Sequence, residues 1–506
     1  MTPANEARVS WLRLVALVGG PAVALALHRL LPTTYVDASG IEQTFNPAGR
    51  ATLAAMAWMG IWWLTEAVDI SATALLPVAV FPVLGIATMK DAAAPYANDL
   101  IFLFLGGFML AGAMQRWSLD RRIALTCLRF TGTTAAGMVG GFMLVTAGLS
   151  MWVSNTATAA MMLPIASSVI TLAAKCSDEI DHDSPHRSRF ALCLLLGIAY
   201  AASIGGIGTL IGSPPNGIAA EFIRGSLGRE VGFADWMLVG VPFVVVILPL
   251  TWILLVFVLY RPEIRRIEGG DELVRGELVA LGPLKRGELV TLCVFVATAA
   301  LWITRPWLAR LTLGGHAPFA MLTDGGIAIL AALALFVVPV GVRPLRPTLD
   351  WPTAQRLPWG VLILFGGGLS LASAVKSNGV AEFIGAQTAV LHGVPPLATV
   401  LAVTTLIVFL TELTSNTATT ATMVPLLAAL SPGLGVDPYL LIIPATIGAS
   451  CAFMMPVATP PNAMVFATGH ITIPQMAKAG FVLNLLSILV ITALAYGVVV
   501  PLFVRS

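Results

Sequence analysis

The chain has 506 residues, 57% of them hydrophobic and 11% charged, and a mean hydropathy of +0.89. About a quarter of an ordinary soluble domain is charged, so a water-soluble globular protein is excluded; at about 20 apolar residues per span, this length accommodates on the order of ten to thirteen membrane segments. The 28 basic and 26 acidic residues leave a net charge of +2 with no polybasic tail, which gives nucleic acid no electrostatic footing.

The first apolar run extends from Trp11 to about Leu31 without a small-residue cleavage site, and is expected to stay attached as the first span. Uninterrupted runs at 236–260, 288–303, 326–341 and 480–503 predict membrane helices, because a barrel strand would alternate over about ten residues. Arg116, Arg121, Arg122 and Arg129 follow an early apolar segment. A charged connection over about 261–287 carries Arg261, Arg265, Arg266, Arg275, Lys285 and Arg286. The positive-inside rule places both in the cytoplasm. Between Lys175 and Arg189, Asp178, Glu179, Asp181 and Asp183 mix with His182 and His186 without ligand spacing, and read as a solvated loop. Cys127, Cys176, Cys193, Cys293 and Cys451 form no CxxC pair and are expected to be buried packing residues. His28, His316, His392 and His470 are isolated. Trp11, Trp62, Trp63, Trp302, Trp307, Trp351 and Trp359 fall near span ends and are expected at the membrane interface.

The chain repeats itself. Ser154-Asn155-Thr156-Ala157-Thr158 recurs as Ser415-Asn416-Thr417-Ala418-Thr419, at an offset of 261. Upstream, Leu105-Gly106-Gly107 matches Phe365-Gly366-Gly367 at an offset of 260; downstream, Gly212-Ser213-Pro214-Pro215-Asn216 matches Ala458-Thr459-Pro460-Pro461-Asn462 at 246. Three landmarks in one order predict a first repeat over about 51–260 and a second over about 288–503. Duplicated helix breakers point to the binding site of a secondary transporter, and a solenoid's short period is absent.

Polar triplets in apolar surroundings are costly unless they cap a helix or meet a ligand, and Ser, Asn and Thr are favoured N-caps. A helix interrupted at each triplet restarts near Thr156 and Thr417 with free N–H groups and partial positive charge, which attracts anions. The paired prolines leave upstream carbonyls without intrahelical partners, and such oxygens suit a small alkali cation. Pro214 and Pro460 then start half-helices capped by Ser213 and Thr459. The glycine-rich stretches at Gly106-Gly107 and Gly366-Gly367-Gly368 read equally as close-packing faces or as re-entrant hairpins. Residues 206–212 lack the spacing and preceding strand of a dinucleotide fingerprint. Glu66 and Glu412 are expected to hold broken-helix ends or hairpins by hydrogen bonding.

The duplicated SNTAT segments, the two PPN breaks, Trp62-Trp63-Leu64-Thr65-Glu66-Ala67 and Thr73-Ala74-Leu75-Leu76-Pro77 resemble the divalent anion/sodium symporter family, the transporters of di- and tricarboxylates and sulfate, over roughly Trp62 to Gly469. The resemblance implies an all-α polytopic membrane protein of about eleven transmembrane helices plus two re-entrant hairpins, an inverted repeat with broken helices, a homodimer and an elevator-like movement. It favours hairpins near 97–118 and 358–378. It further implies one sodium site from Ser150, Ser154 and Asn155 with backbone oxygen near Gly212, and another from Thr411, Thr414 and Asn416 with backbone oxygen near Ala458. Substrate carboxylates are expected to meet Ser154, Asn155 and Thr156 from one side and Ser415, Asn416 and Thr417 from the other, with Ser213, Pro214, Thr459 and Pro460 lining the pocket.

No Lys or Arg stands within the motif segments, so neutral donors, helix tips and at least two co-transported sodium ions are left to offset a buried dianion. The expected function is sodium-coupled import of a C4-dicarboxylate such as succinate, malate or fumarate across a bacterial-type inner membrane. The alternatives are a sodium-independent dicarboxylate antiporter, or a citrate or sulfate symporter of the same fold. No catalytic pairing or metal motif in the apolar segments suggests an intramembrane enzyme, and polar residues concentrated at two breaks do not form a continuous channel.

Overall fold

The computed structural model describes residues 3–36, 40–175, 188–312, 316–342, 345–388 and 393–505; the acidic and histidine-bearing loop, Cys176 and His392 lie outside them. Among the described residues, eight helices are long and apolar enough to cross a membrane, and five shorter apolar helices accompany them. Several begin where a polar side chain satisfies free backbone donors. Asn98 Oδ1 accepts from Leu100 N–H at 2.9 Å, Thr134 Oγ1 from Gly137 N–H at 3.1 Å and Thr323 Oγ1 from Gly326 N–H at 3.0 Å. Large side chains such as Leu144, Val245 and Leu489 face outward, as expected where the surrounding solvent is lipid. The same condition explains why Cys127 and Cys293 are exposed while only Cys193 and Cys451 are buried as expected.

The expected spans at 236–260, 288–303 and 480–503 fall within helices Phe233–Ile253, Arg286–Leu308 and Ile473–Leu494, the first and last continuing as wider-wound turns. The run at 326–341 is helical only over Asp324–Val337. Pro339–Val342 then pairs antiparallel with Leu345–Pro347.

The glycine-rich stretches lie inside unbroken helices, Asp99–Arg116 and Trp359–Ser377, so the hairpins favoured there are not found. The glycines are packing faces instead. A Cβ on Gly106 would lie 2.5 Å from the Ala328 backbone, and one on Gly367 would lie 2.3 Å from the Ala74 carbonyl.

The chain reverses at the triplets. Helix Ala135–Ser150 and helix Asn155–Lys175 are joined by residues 151–154, and Met138 near the start of one and Leu172 near the end of the other both pack at Gly269-Gly270. The two therefore run antiparallel. Helices Pro396–Thr411 and Asn416–Leu434 do the same. The second ends against Thr388, and residues 389–395 reach at most about 27 Å, far less than the roughly 58 Å of a collinear pair. Each hairpin embraces the first part of a broken helix: Arg189–Gly206 followed by Pro214–Phe222, and Pro438–Ala449 followed by Pro460–Ala467. The segment Arg189–Gly206 is 94% buried, and Gly205 brings its backbone onto Ala147 of the first hairpin.

Candidate functional site

At the first hairpin tip, Ser150 Oγ lies 2.7 Å from Asn155 Oδ1 and 2.7 Å from the Ala202 carbonyl. At the second, Thr411 Oγ1 lies 2.8 Å from Asn416 Oδ1 and 2.7 Å from the Ala449 carbonyl. A hydroxyl has one proton to donate, so each tip groups three oxygens around a single hydrogen. That is a hard-oxygen cluster of the kind alkali cations take. Helix Asn155–Lys175 and helix Asn416–Leu434 start at the triplets, within one residue of the expected Thr156 and Thr417. Ser154 Oγ accepts weakly from Ala157 N–H at 3.4 Å, whereas Ser415 makes no side-chain cap.

The PPN asparagines brace the loops of the broken helices beside these tips. Asn216 Nδ2 donates to Gly206 O at 2.9 Å and Thr209 O at 2.7 Å; Asn462 Nδ2 donates to Ala452 O and Met455 O, both at 3.1 Å. Both side chains are fully buried, and each Oδ1 lacks a partner among the described residues. Thr459 caps its half-helix by accepting from Asn462 N–H at 3.3 Å, while Ser213 forms no such bond. In the first half, a Cβ on Gly206 would meet Asn155 Oδ1 at 2.4 Å, and one on Gly212 would meet the Gly206 carbonyl at 2.6 Å. The tip amide thus sits on bare backbone, with Gly212 next to it.

All ten residues expected to contact substrate line one cavity of about 1470 Å³: Ser154, Asn155 and Thr156; Ser213 and Pro214; Ser415, Asn416 and Thr417; Thr459 and Pro460. Of the cation set, Gly212, Thr414 and Ala458 also face it, and the fully buried Ser150 and Thr411 stand behind the tips. The Thr414 hydroxyl is engaged elsewhere, 2.9 Å from the Leu410 carbonyl and 2.7 Å from Thr419 Oγ1.

Glu412, one residue past Thr411, is buried and clamps the opposite loop. Its Oε1 accepts from Phe453 N–H at 2.7 Å, Met454 N–H at 2.9 Å and Asn484 Nδ2 at 2.7 Å; its Oε2 accepts from Met454 N–H at 3.0 Å and Met455 N–H at 3.2 Å. The expectation for Glu412 therefore holds. Glu66 differs: half-exposed at the end of helix Pro47–Thr65, it pairs with Arg13 at 3.5 Å. Trp63 and Trp302 are buried rather than interfacial, donating to Ile70 O at 3.1 Å and Asp324 O at 3.0 Å. Sequence reasoning also missed the carbonyls of Ala202 and Ala449, which carry no side-chain signature. It missed the bracing role of Asn216 and Asn462, although a buried amide after two prolines was a usable signal.

Long apolar helices, two hairpins and two broken helices converging on one cavity define an integral, multi-pass membrane protein laid out as a secondary transporter. The chain belongs to the family described as the sodium:sulfate symporter transmembrane region, whose match runs over residues 35–503. It is 43% identical over 495 residues to a protein of Staphylococcus saprophyticus named sodium-dependent dicarboxylate transporter SdcS, covering 97% of this chain and 92% of that one. A Staphylococcus aureus protein of the same name is 44% identical over 451 residues, covering 89% and 86%. The crystal structure of the Alcanivorax borkumensis YdaH transporter shares the fold at a TM-score of 0.58, with 12% identity and coverage of 96% of this chain and 97% of that one.

Proposed function

We propose that the protein is a sodium-coupled importer of C4-dicarboxylates in which two half-site pairs hold one dianion. The observation that carries this reading is the doubled oxygen cluster, Ser150–Asn155–Ala202 and Thr411–Asn416–Ala449, behind a cavity lined by both triplets. The names of the two staphylococcal relatives support sodium as the coupling ion and a dicarboxylate as the cargo. Ser150, Ser154, Asn155 and the backbone near Gly212 would hold one sodium ion, and Thr411, Thr414, Asn416 and the backbone near Ala458 another. The Thr414 hydroxyl must turn from Thr419 to take part. The substrate carboxylates would lie between the triplets, against the starts of the two hairpin helices. A buried dianion without countercharge is heavily penalised, so bound sodium lowers the cost of loading and thereby couples the two fluxes. The hairpins would be re-entrant, and the laden halves of the two repeats would move together in a homodimer.

The test is uptake of labelled succinate by proteoliposomes. Accumulation is expected under an inward sodium gradient and not in potassium; equal rates in both would remove symport. Asn155→Ala and Asn416→Ala are each expected to abolish uptake while the purified protein stays folded and monodisperse, and normal transport by either would count against the paired site.

A further inference from the structure

The charged residues lining the cavity are Arg13, Glu66 and Arg356; all three are exposed and none belongs to the triplets or the PPN breaks, which places them at the cavity's solvent-facing mouth. Arg13 reaches the mouth because its helix, Pro3–Leu30, is pinned beside helix Pro47–Thr65. Pro21 has no N–H, which frees the Leu17 carbonyl, and Trp62 Nε1 donates to Leu17 O at 3.3 Å and Ala16 O at 3.2 Å. Gly20 admits the indole, since a Cβ there would lie 2.7 Å from Trp62 Nε1. Arg13 is neutralised by Glu66 at 3.5 Å. The exposed side chain of Arg356, which also lines the cavity, makes no hydrogen bond or ion pair among the described residues. The entrance therefore carries one uncompensated positive charge above an interior of neutral donors.

The mouth has a side. Gln115 lines it, the neighbouring Arg116 pairs with Asp350 at 2.8 Å, and Arg121 and Arg122 pair with Glu277 at 2.6 Å and Glu288 at 3.1 Å, in the latter part of the charged connection and just past its end. The positive-inside rule puts that face in the cytoplasm.

We propose that Arg356 is a specificity-determining residue for the cytoplasmic face alone, raising the affinity of the inward-open cavity for divalent anions, and that Glu66 limits this effect by cancelling Arg13. The inference rests on the function proposed above. A unit charge acting on a dianion through about 10 Å of water changes its local concentration about two- to fivefold, and salt screens that effect over a similar distance.

The experiment measures succinate transport in inside-out and right-side-out membrane vesicles for wild type, Arg356→Gln, Glu66→Gln and Arg13→Gln/Glu66→Gln. Arg356→Gln is expected to raise the KM at the cytoplasmic face about two- to fivefold, and Glu66→Gln, which leaves Arg13 unopposed, to lower it by a similar factor. The double variant is expected to return to the wild-type value. Maximal rate and the KM at the outer face stay put, and the differences collapse when choline chloride brings ionic strength to about 1 M. Shifts of the two single variants in the same direction, or equal shifts at both faces, would mark a structural effect and overturn the inference. An unmoved cytoplasmic KM with normal wild-type uptake overturns it alone, whereas wild-type vesicles without sodium-driven uptake overturn the parent reading.

Discussion

Replacing Glu412 by Gln keeps the side chain's size and removes its charge, so it separates a structural clamp from a proton carrier. In the clamp, two carboxylate oxygens serve the three successive N–H groups of residues 453–455 and the Asn484 amide. A glutamine has one acceptor oxygen. If it occupies the Oε1 position, its NH2 group faces Met455 N–H and that donor is orphaned; if it occupies the Oε2 position, Phe453 N–H is orphaned and Asn484 must turn. One buried donor lost costs about 1–3 kcal/mol, and the remaining bonds weaken from charge-assisted to neutral. The expected total is about 2–4 kcal/mol, read by reversible unfolding in mixed micelles. Cys451 supplies a local reporter: it is fully buried at the start of the clamped loop, so it should become reactive to thiol reagents in the variant, while Cys193, equally buried in the first half, stays protected. A variant with wild-type stability and a protected Cys451 would refute the clamp and leave Glu412 free for proton chemistry.

Gly106→Ala is expected to destabilise by about 1–3 kcal/mol, because its Cβ would meet Ala328 backbone atoms that have nowhere to move. Gly112→Ala, whose nearest neighbour is a Leu357 methyl at 3.6 Å, should be tolerated, and thermal unfolding of the two variants checks the contrast. Hydrogen bonds from Thr353, with the Arg116 guanidinium alongside, hold the Asp350 carboxyl below the usual carboxylate range. A lowered folded-state pKa gives stability that is full above the unfolded value of about 4 and is lost as pH falls through the folded one. The melting temperature of Asp350→Asn should therefore lie below wild type near pH 7 and converge with it in acid; a gap that persists unchanged would contradict the assignment.

The fold class was legible because hydropathy is read locally, residue by residue, and so were the breaks. Two prolines cannot continue a helix, and a Ser-Asn-Thr run in apolar sequence must be capped or paired. Glycine pairs are ambiguous in a way that prolines are not. Gly106 and Gly367 are needed because Ala328 and Ala74 press against them, and those partners lie more than 200 residues away in sequence. Trp63 and Trp302 were misplaced for a different reason: an indole near a span end suits an interface, but here the carbonyls of Ile70 and Asp324, 7 and 22 residues on, draw the N–H groups inward. The triplets, with their polar side chains, announced themselves. The third oxygen at each tip, from Ala202 or Ala449, did not, because any residue has a carbonyl and only tertiary packing selects one.

The two halves agree where oxygen atoms meet and differ where the halves meet the rest of the molecule. Ser150 and Thr411, Asn155 and Asn416, and Asn216 and Asn462 occupy matched positions with matched bonds. Glu412, by contrast, corresponds to Met151, whose carbonyl instead receives the Thr209 hydroxyl. The far ends of the broken helices also diverge. Beyond Pro214–Phe222, Lys376 Nζ grips the Gly225 and Ser226 carbonyls at 2.8 and 3.0 Å, and Arg224 reaches Asn98 Oδ1 at 2.8 Å. The residue matching Lys376 at the 260 offset is Arg116, which turns away to Asp350 at the cavity's open face. Matched interiors give two equivalent oxygen clusters, whereas the unmatched exteriors anchor the two halves to different neighbours.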